Sequence, residues 1–175
     1  MARLEIILGC MFSGKSSELI RRVSRYEAIG HKCCVINSAL DSRTDGVATH
    51  SGKSREALKV HELGAATSSH VFLDAQVVAV DEAQFFGDLV DFCLLCEVLG
   101  KTLIVAGLDG DADRKPFGHI LQCIPLCDEV VKLTAMDMVS KDGTPAIFSK
   151  RLSSGAAVVD VGGTDKYAAV SRKNY

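Results

Sequence analysis

Residues 4–22, LEIILGCMFSGKSSELIRR, constrain the fold more than any other stretch of the chain. An apolar run ends in Gly9. Gly9-Cys10-Met11-Phe12-Ser13-Gly14-Lys15-Ser16 then matches G-x-x-x-x-G-K-[ST], and Leu19, Ile20, Val23 and Tyr26 follow at helical spacing as far as Gly30. A strand before and a helix after is the setting in which such a loop wraps a phosphate, because loop N–H groups and the helix N-terminus converge on the anion. Lys15 can reach β and γ oxygens, and the Ser16 hydroxyl can hold Mg²⁺. Gly9, Ser13, Gly14, Lys15 and Ser16 are therefore the candidate nucleotide-binding residues.

The rest of the chain alternates in a way that suits this loop. Apolar runs at 4–9, 32–37, 75–84, 102–110 and 129–134 predict five strands, and residues 16–30 and 87–100 predict helices. Residues 116–128 read as partly helical, limited by Pro125. Residues 40–54 are polar and read as a loop, and a loop of that length is more often functional than idle. Strand and helix in alternation imply parallel strands joined by right-handed crossovers. The fold class is α/β: a P-loop NTPase-like parallel sheet flanked by helices. After about residue 135 the rhythm breaks into Gly- and Ser-punctuated β-like pieces. The expected division is a nucleotide-binding core over 1–135 and a small C-terminal lobe over 136–175.

Composition narrows the function. The 175 residues, 47% hydrophobic, suit one domain with a small appendage. A formal net charge of -2 gives no electrostatic case for nucleic acid or a membrane surface. No apolar run is long enough to span a bilayer and the first residues lack a signal-peptide layout, so the expectation is a soluble, cytoplasmic protein. Seven cysteines scattered through apolar segments argue for reduced thiols. Cys93 and Cys96 form a C-x-x-C, half of a zinc pattern, but they lie in a helical stretch without a second pair, and core packing is the stronger reading.

Two further clusters carry chemistry. The third apolar run ends in Asp81-Glu82. A carboxylate at a strand end beside a phosphate loop can organise Mg²⁺, the role read for Asp81. Glu82 can accept the proton of whatever attacks the γ-phosphate, or it can be a capping or solvated acid. Asp41 and Arg43 occupy the polar loop: an Arg there can stabilise charge developing in transfer and an Asp can support the metal, and both can equally be surface charges.

Taken in order, GCMFSGKSSELIRRVSRYEAIGHK, LDSR…ATHSG, VVAVDEAQFFGDLVDF, VAGLDG, RKPFG, VVKLTA, FSKRL and VGGTDKY resemble the type II thymidine kinases of animal cytosol, bacteria and poxviruses, from Leu4 to about Tyr167. The resemblance implies transfer of the ATP γ-phosphate to the 5′-hydroxyl of deoxythymidine, a salvage step for DNA synthesis. It makes Glu82 the general base, gives Arg43 a catalytic part, and places Asp41 near metal and phosphate. It implies a nucleoside pocket lined by Met11, Phe85, Leu108 and Phe117. A lasso loop over Val161, Gly162 and Gly163 would close it, with Tyr167 nearby. It further implies inhibition by dTTP and a homotetramer.

The chain departs from that family in two places. The family ties its small lobe with zinc through two C-x-x-C pairs, whereas Asp137, Ser140, Ser171 and Asn174 stand at those positions here. Zinc favours Cys and His, so no structural zinc is expected. Ala112 stands where the family has an aromatic residue against the base, a contact worth about 0.5–1.5 kcal/mol beyond burial, and leaves the nucleoside range open. A non-catalytic nucleotide-binding module of the same fold, and a P-loop ATPase acting on nucleic acid, are the alternatives.

Overall fold

The computed structural model describes residues 2–41, 47–48, 54–152 and 162–175. Twelve strands and three α-helices are assigned among them. In chain order they are β1 (Arg3–Gly9), α1 (Lys15–Ala28), β2 (Cys33–Ser38), β3 (Val47–Ala48), β4 (Ser54–Arg55), β5 (Leu58–Val60), α2 (His70–Asp74), β6 (Val77–Val80), α3 (Leu89–Val98), β7 (Thr102–Gly107), β8 (Glu129–Leu133), β9 (Ala135–Met136), β10 (Pro145–Ala146), β11 (Phe148–Arg151) and β12 (Tyr167–Val170).

Six strands form one sheet in the order β5-β2-β6-β7-β1-β8, and every neighbouring pair is parallel. The inner strands are buried on both faces, which is why Val77–Val80 and Leu103–Ala106 read as unbroken apolar runs. One face packs Leu19 and Val23 of α1 against Ile7, Val35, Ala79 and Ile104. The other packs Phe72, Phe86, Leu89, Phe92, Cys93 and Cys96 against Ile6, Val78 and Leu103. Cys93 and Cys96 are thus core residues, and all seven cysteines are unpaired.

One expectation changes: a sixth parallel strand, β5, extends the sheet beyond β2. Residues 116–128, expected to be partly helical, hold a 3₁₀ helix over 120–126 with Pro125 inside it; proline removes one donor and its ring crowds the preceding turn. Beyond β8 the sheet stops. β9 pairs with β10 and β11 with β12, both antiparallel. Their small core of Cys10, Ala135, Ala146 and Ala169 includes a phosphate-loop residue.

Candidate active site

The loop after β1 has an unusual backbone. Gly9 has φ 153°, Phe12 φ 64° and Gly14 φ 85°. A Cβ on Gly9 would lie 2.6 Å from Ser13 Oγ and 2.7 Å from the Leu133 carbonyl, so only glycine fits. The Ser13 hydroxyl donates to the Cys10 carbonyl at 2.8 Å and tightens the turn. The N-terminus of α1 has no side-chain cap, the condition in which an anion can take the cap's place. Lys15 is buried, its Nζ donating to the Cys10 carbonyl at 2.8 Å. Burial pushes the Lys15 pKa down, and Glu82 and Asp81 nearby oppose that.

Opposite this loop, β6 ends in the paired acids. Asp81 is buried. Burial lifts its pKa to about 7, the Glu82 charge adds to the rise, and a hydrogen bond with the Ser16 side chain opposes it. Its Oδ1 also accepts from the Glu82 N–H at 3.0 Å. Glu82 itself adopts a left-handed backbone at φ 52°, a conformation that costs energy outside glycine and recurs at functional sites. Ser16 and Asp81 offer a hydroxyl and a carboxylate side by side, an oxygen set suited to Mg²⁺.

Gln84 is the residue that motif reading left without a role. Its Nε2 donates to Glu82 Oε2 at 2.6 Å and its Oε1 accepts from the Leu108 N–H at 3.0 Å. The carboxamide therefore holds the carboxylate against the end of β7. Gly118, at φ 61°, crosses so close that a Cβ would lie 2.2 Å from the Gln84 carbonyl. The only sequence signal was the DEAQ run itself.

Of the other expected residues, Phe85 and Phe117 meet edge to face, ring centroids 5.8 Å apart. The Leu108 N–H donates to Gln84 Oε1 at 3.0 Å. The Met11 N–H donates to Ser149 Oγ at 2.9 Å, joining the loop to β11. Asp41, buried three residues beyond the end of β2, accepts from Asn37 Nδ2 at 3.2 Å. Gly163 N–H donates to Asp165 Oδ1 at 2.9 Å, the Lys166 side chain packs over Gly162, and Tyr167 is buried at the start of β12. Arg43 and Val161 lie outside the described residues. Ala112 gives its carbonyl to the Tyr175 hydroxyl at 2.6 Å, and the Arg114 guanidinium lies 4.0 Å from that ring's centroid.

The four zinc positions of the resemblance do come together. Asp137, buried, accepts from the N–H groups of Val139 and Ser140 on Oδ1, and from the Ser171 N–H and Asn174 Nδ2 on Oδ2. One carboxylate, two hydroxyls and a carboxamide make a poor zinc set, and here the carboxylate oxygens already face hydrogens. These residues do not fit zinc.

A strand–loop–helix with the G-x-x-x-x-G-K-S loop and an uncapped helix N-terminus, and a buried acid at the neighbouring strand end, defines a P-loop nucleotide-binding protein of the kinase type. A family model described as thymidine kinase matches residues 2–175. The chain belongs to the thymidine kinase family. It is 46% identical over 173 residues to the thymidine kinase of vaccinia virus strain Western Reserve, covering 98% of this chain and 96% of that one. It is 45% identical over 173 residues to the variola virus thymidine kinase, with the same coverage. Against the human cytosolic thymidine kinase it is 44% identical over 174 residues, covering 99% of this chain and 73% of the human one. A solved DNA replication initiation factor aligns with TM-score 0.45 at 11% identity over 75% of this chain and 40% of its own, too distant to bear on function.

Proposed function

We propose that this protein phosphorylates deoxythymidine at the 5′-hydroxyl with ATP, giving dTMP and ADP. The observation that carries the reading is the junction of the two motifs. Ser16 of the phosphate loop bonds Asp81, and the next residue, Glu82, is held by Gln84 at 2.6 Å. Glu82 takes the hydroxyl proton as the 5′-oxygen bonds to the γ-phosphorus and the bridging β–γ bond breaks. Lys15 meets charge on the β and γ oxygens, and the loop N–H groups hold the phosphates in line. Ser16 and Asp81 would hold Mg²⁺, which would offset phosphate charge. Asp41 supports that cluster, Arg43 stabilises the transferring group, and Met11, Phe85, Leu108 and Phe117 receive the nucleoside. The segment over Val161, Gly162 and Gly163, with Tyr167, closes over it.

The same reading makes dTTP an inhibitor of the nucleoside site and makes the active species a cytoplasmic homotetramer. Exposed Leu94, Leu95 and Val98 on α3, and Leu99 just after it, suit burial between copies. The test is labelled ATP with deoxythymidine and Mg²⁺, the product resolved as dTMP. Glu82→Gln should keep ATP binding and lower kcat by about 10²–10⁴-fold. Near wild-type kcat in that variant would remove the general-base role, and no dTMP from the wild type would remove the reading.

A further inference from the structure

The Asp137 cluster joins segments far apart in the chain. Oδ1 takes the Val139 and Ser140 N–H groups at 2.8 and 3.0 Å, which shapes the turn leaving β9. Oδ2 takes the Ser171 N–H at 2.7 Å and Asn174 Nδ2 at 2.9 Å, groups 34 and 37 residues away, just after β12. The Asp137 N–H donates to the Thr144 carbonyl at 2.8 Å and closes the β9–β10 hairpin. The carboxyl is held well below the usual carboxylate range, first by the Ser171 side chain, then by the surrounding N–H donors. A carboxylate so saturated has no lone pair turned toward a metal.

The tie reaches the phosphate loop. Met138 N–H donates to the Ala169 carbonyl at 2.9 Å. Cys10 Sγ donates to the Ala146 carbonyl at 3.4 Å, and Ser149 Oγ holds the Met11 N–H at 2.9 Å. Fixing 137–140 to 171–174 therefore fixes both hairpins against residues 10 and 11.

We infer that Asp137 is a positioning residue that replaces a metal cross-link with an anionic one. Four thiolates around a cation become N–H donors around one carboxylate, located at a ligand's own position. The charge pattern inverts while the two segments stay joined. The hub holds the C-terminal hairpins against the phosphate loop without zinc, and so sets the geometry of the nucleoside side of the site. Only that last consequence rests on the kinase reading.

The experiment uses the full chain. Elemental analysis of the wild type should find far less than one zinc per chain, and a chelator should leave its Tm unchanged. Asp137→Asn should lower Tm by about 4–8 °C, since an amide N–H₂ would face N–H donors. In the folded variant KM for deoxythymidine should rise about tenfold, with KM for ATP and kcat each within about threefold. The quadruple variant Asp137→Cys, Ser140→Cys, Ser171→Cys, Asn174→Cys should take up one zinc per chain and become chelator-sensitive in Tm. Stoichiometric zinc in the wild type would overturn the inference. So would an Asp137→Asn variant with unchanged Tm and KM, or a quadruple variant that binds no zinc. Zinc content and Tm report on the hub even if deoxythymidine proves not to be the substrate.

Discussion

Gln84 shows how a single side chain sets the site's geometry. Its carboxamide spans Glu82 and the Leu108 N–H, so the carboxylate proposed as the base, on a left-handed residue, is kept from rotating away. Gln84→Leu keeps the volume but removes both bonds and strands the half-buried Leu108 N–H, which costs at most about 1–3 kcal/mol. The expected result is a kcat about tenfold lower with KM for ATP within twofold, because the lost contact orients the base rather than the phosphates. Equal rises in both KM values with kcat intact would mean Gln84 acts on binding alone. Lys15, Ser16, Asp81 and Glu82 were legible because each motif is local: spacing within a few residues implies the geometry. Gln84 was not, since its role depends on the positive φ of Glu82 and on Gly118 crossing over it from 34 positions away. Ser149 was missed for the same reason, as its partner Met11 is 138 residues distant.

At the scale of elements, one arginine fastens α1 to the sheet. Arg22 donates to Glu5 at 2.5 Å, Glu18 at 2.8 Å and Glu129 at 2.9 Å, linking α1, β1 and β8. Breaking a buried pair costs about 3–5 kcal/mol. Solvent reaches Glu129, and Arg3 still bonds Glu5 at 2.8 Å, so the discounted expectation for Arg22→Met is about 1–2 kcal/mol, or about 3–6 °C in Tm. Acid should show the same link. The Arg21 hydrogen bond, with Arg22 behind it, lowers Glu18 from 4.5 to about 2. For Glu5, burial pushes the pKa up but the Arg3 and Arg22 bonds outweigh it, and the net direction is down. Depressed carboxylates give stability present above about pH 4.5 and lost as pH falls toward 2. Arg22→Met should therefore flatten the stability curve across that window, measured by urea unfolding; an unchanged slope would assign the acid loss elsewhere. The five long strands were legible because buried parallel strands are continuous apolar runs. β5 was not: three residues, Leu58, Lys59 and Val60, at a half-buried edge leave no period to read.

For the whole molecule, the two parts differ in how they are held. The six-stranded sheet is packed on both faces by large side chains such as Phe72, Phe86, Leu19 and Ile104. The C-terminal hairpins share a core of Cys10, Ala135, Ala146 and Ala169, and alanine buries little apolar area. Other ties to the rest of the chain among the described residues are polar or stacked, among them Cys10 to Ala146, Ser149 to Met11, Tyr175 to Ala112, and Arg114 against Tyr175. The break in rhythm after residue 135 was visible in the sequence, but these cross-chain ties were not. Regions with few apolar contacts open below the global unfolding free energy, so the hairpins should exchange amide hydrogens faster than β1, β6 and β7. On the proposed reading a nucleoside binds between loop and hairpins and adds its binding free energy to the stability of the folded hairpins. At about 100 times Kd the gain is about 2.7 kcal/mol, which for a chain of this size raises Tm by about 5–10 °C. With deoxythymidine and a non-hydrolysable ATP analogue, exchange should slow most in peptides spanning 145–151 and 162–175. It should slow less in the central strands, where opening already requires unfolding of the whole sheet. Equal slowing in both regions would mean that the hairpins open only with the sheet, and that their small core is no weaker than the large one.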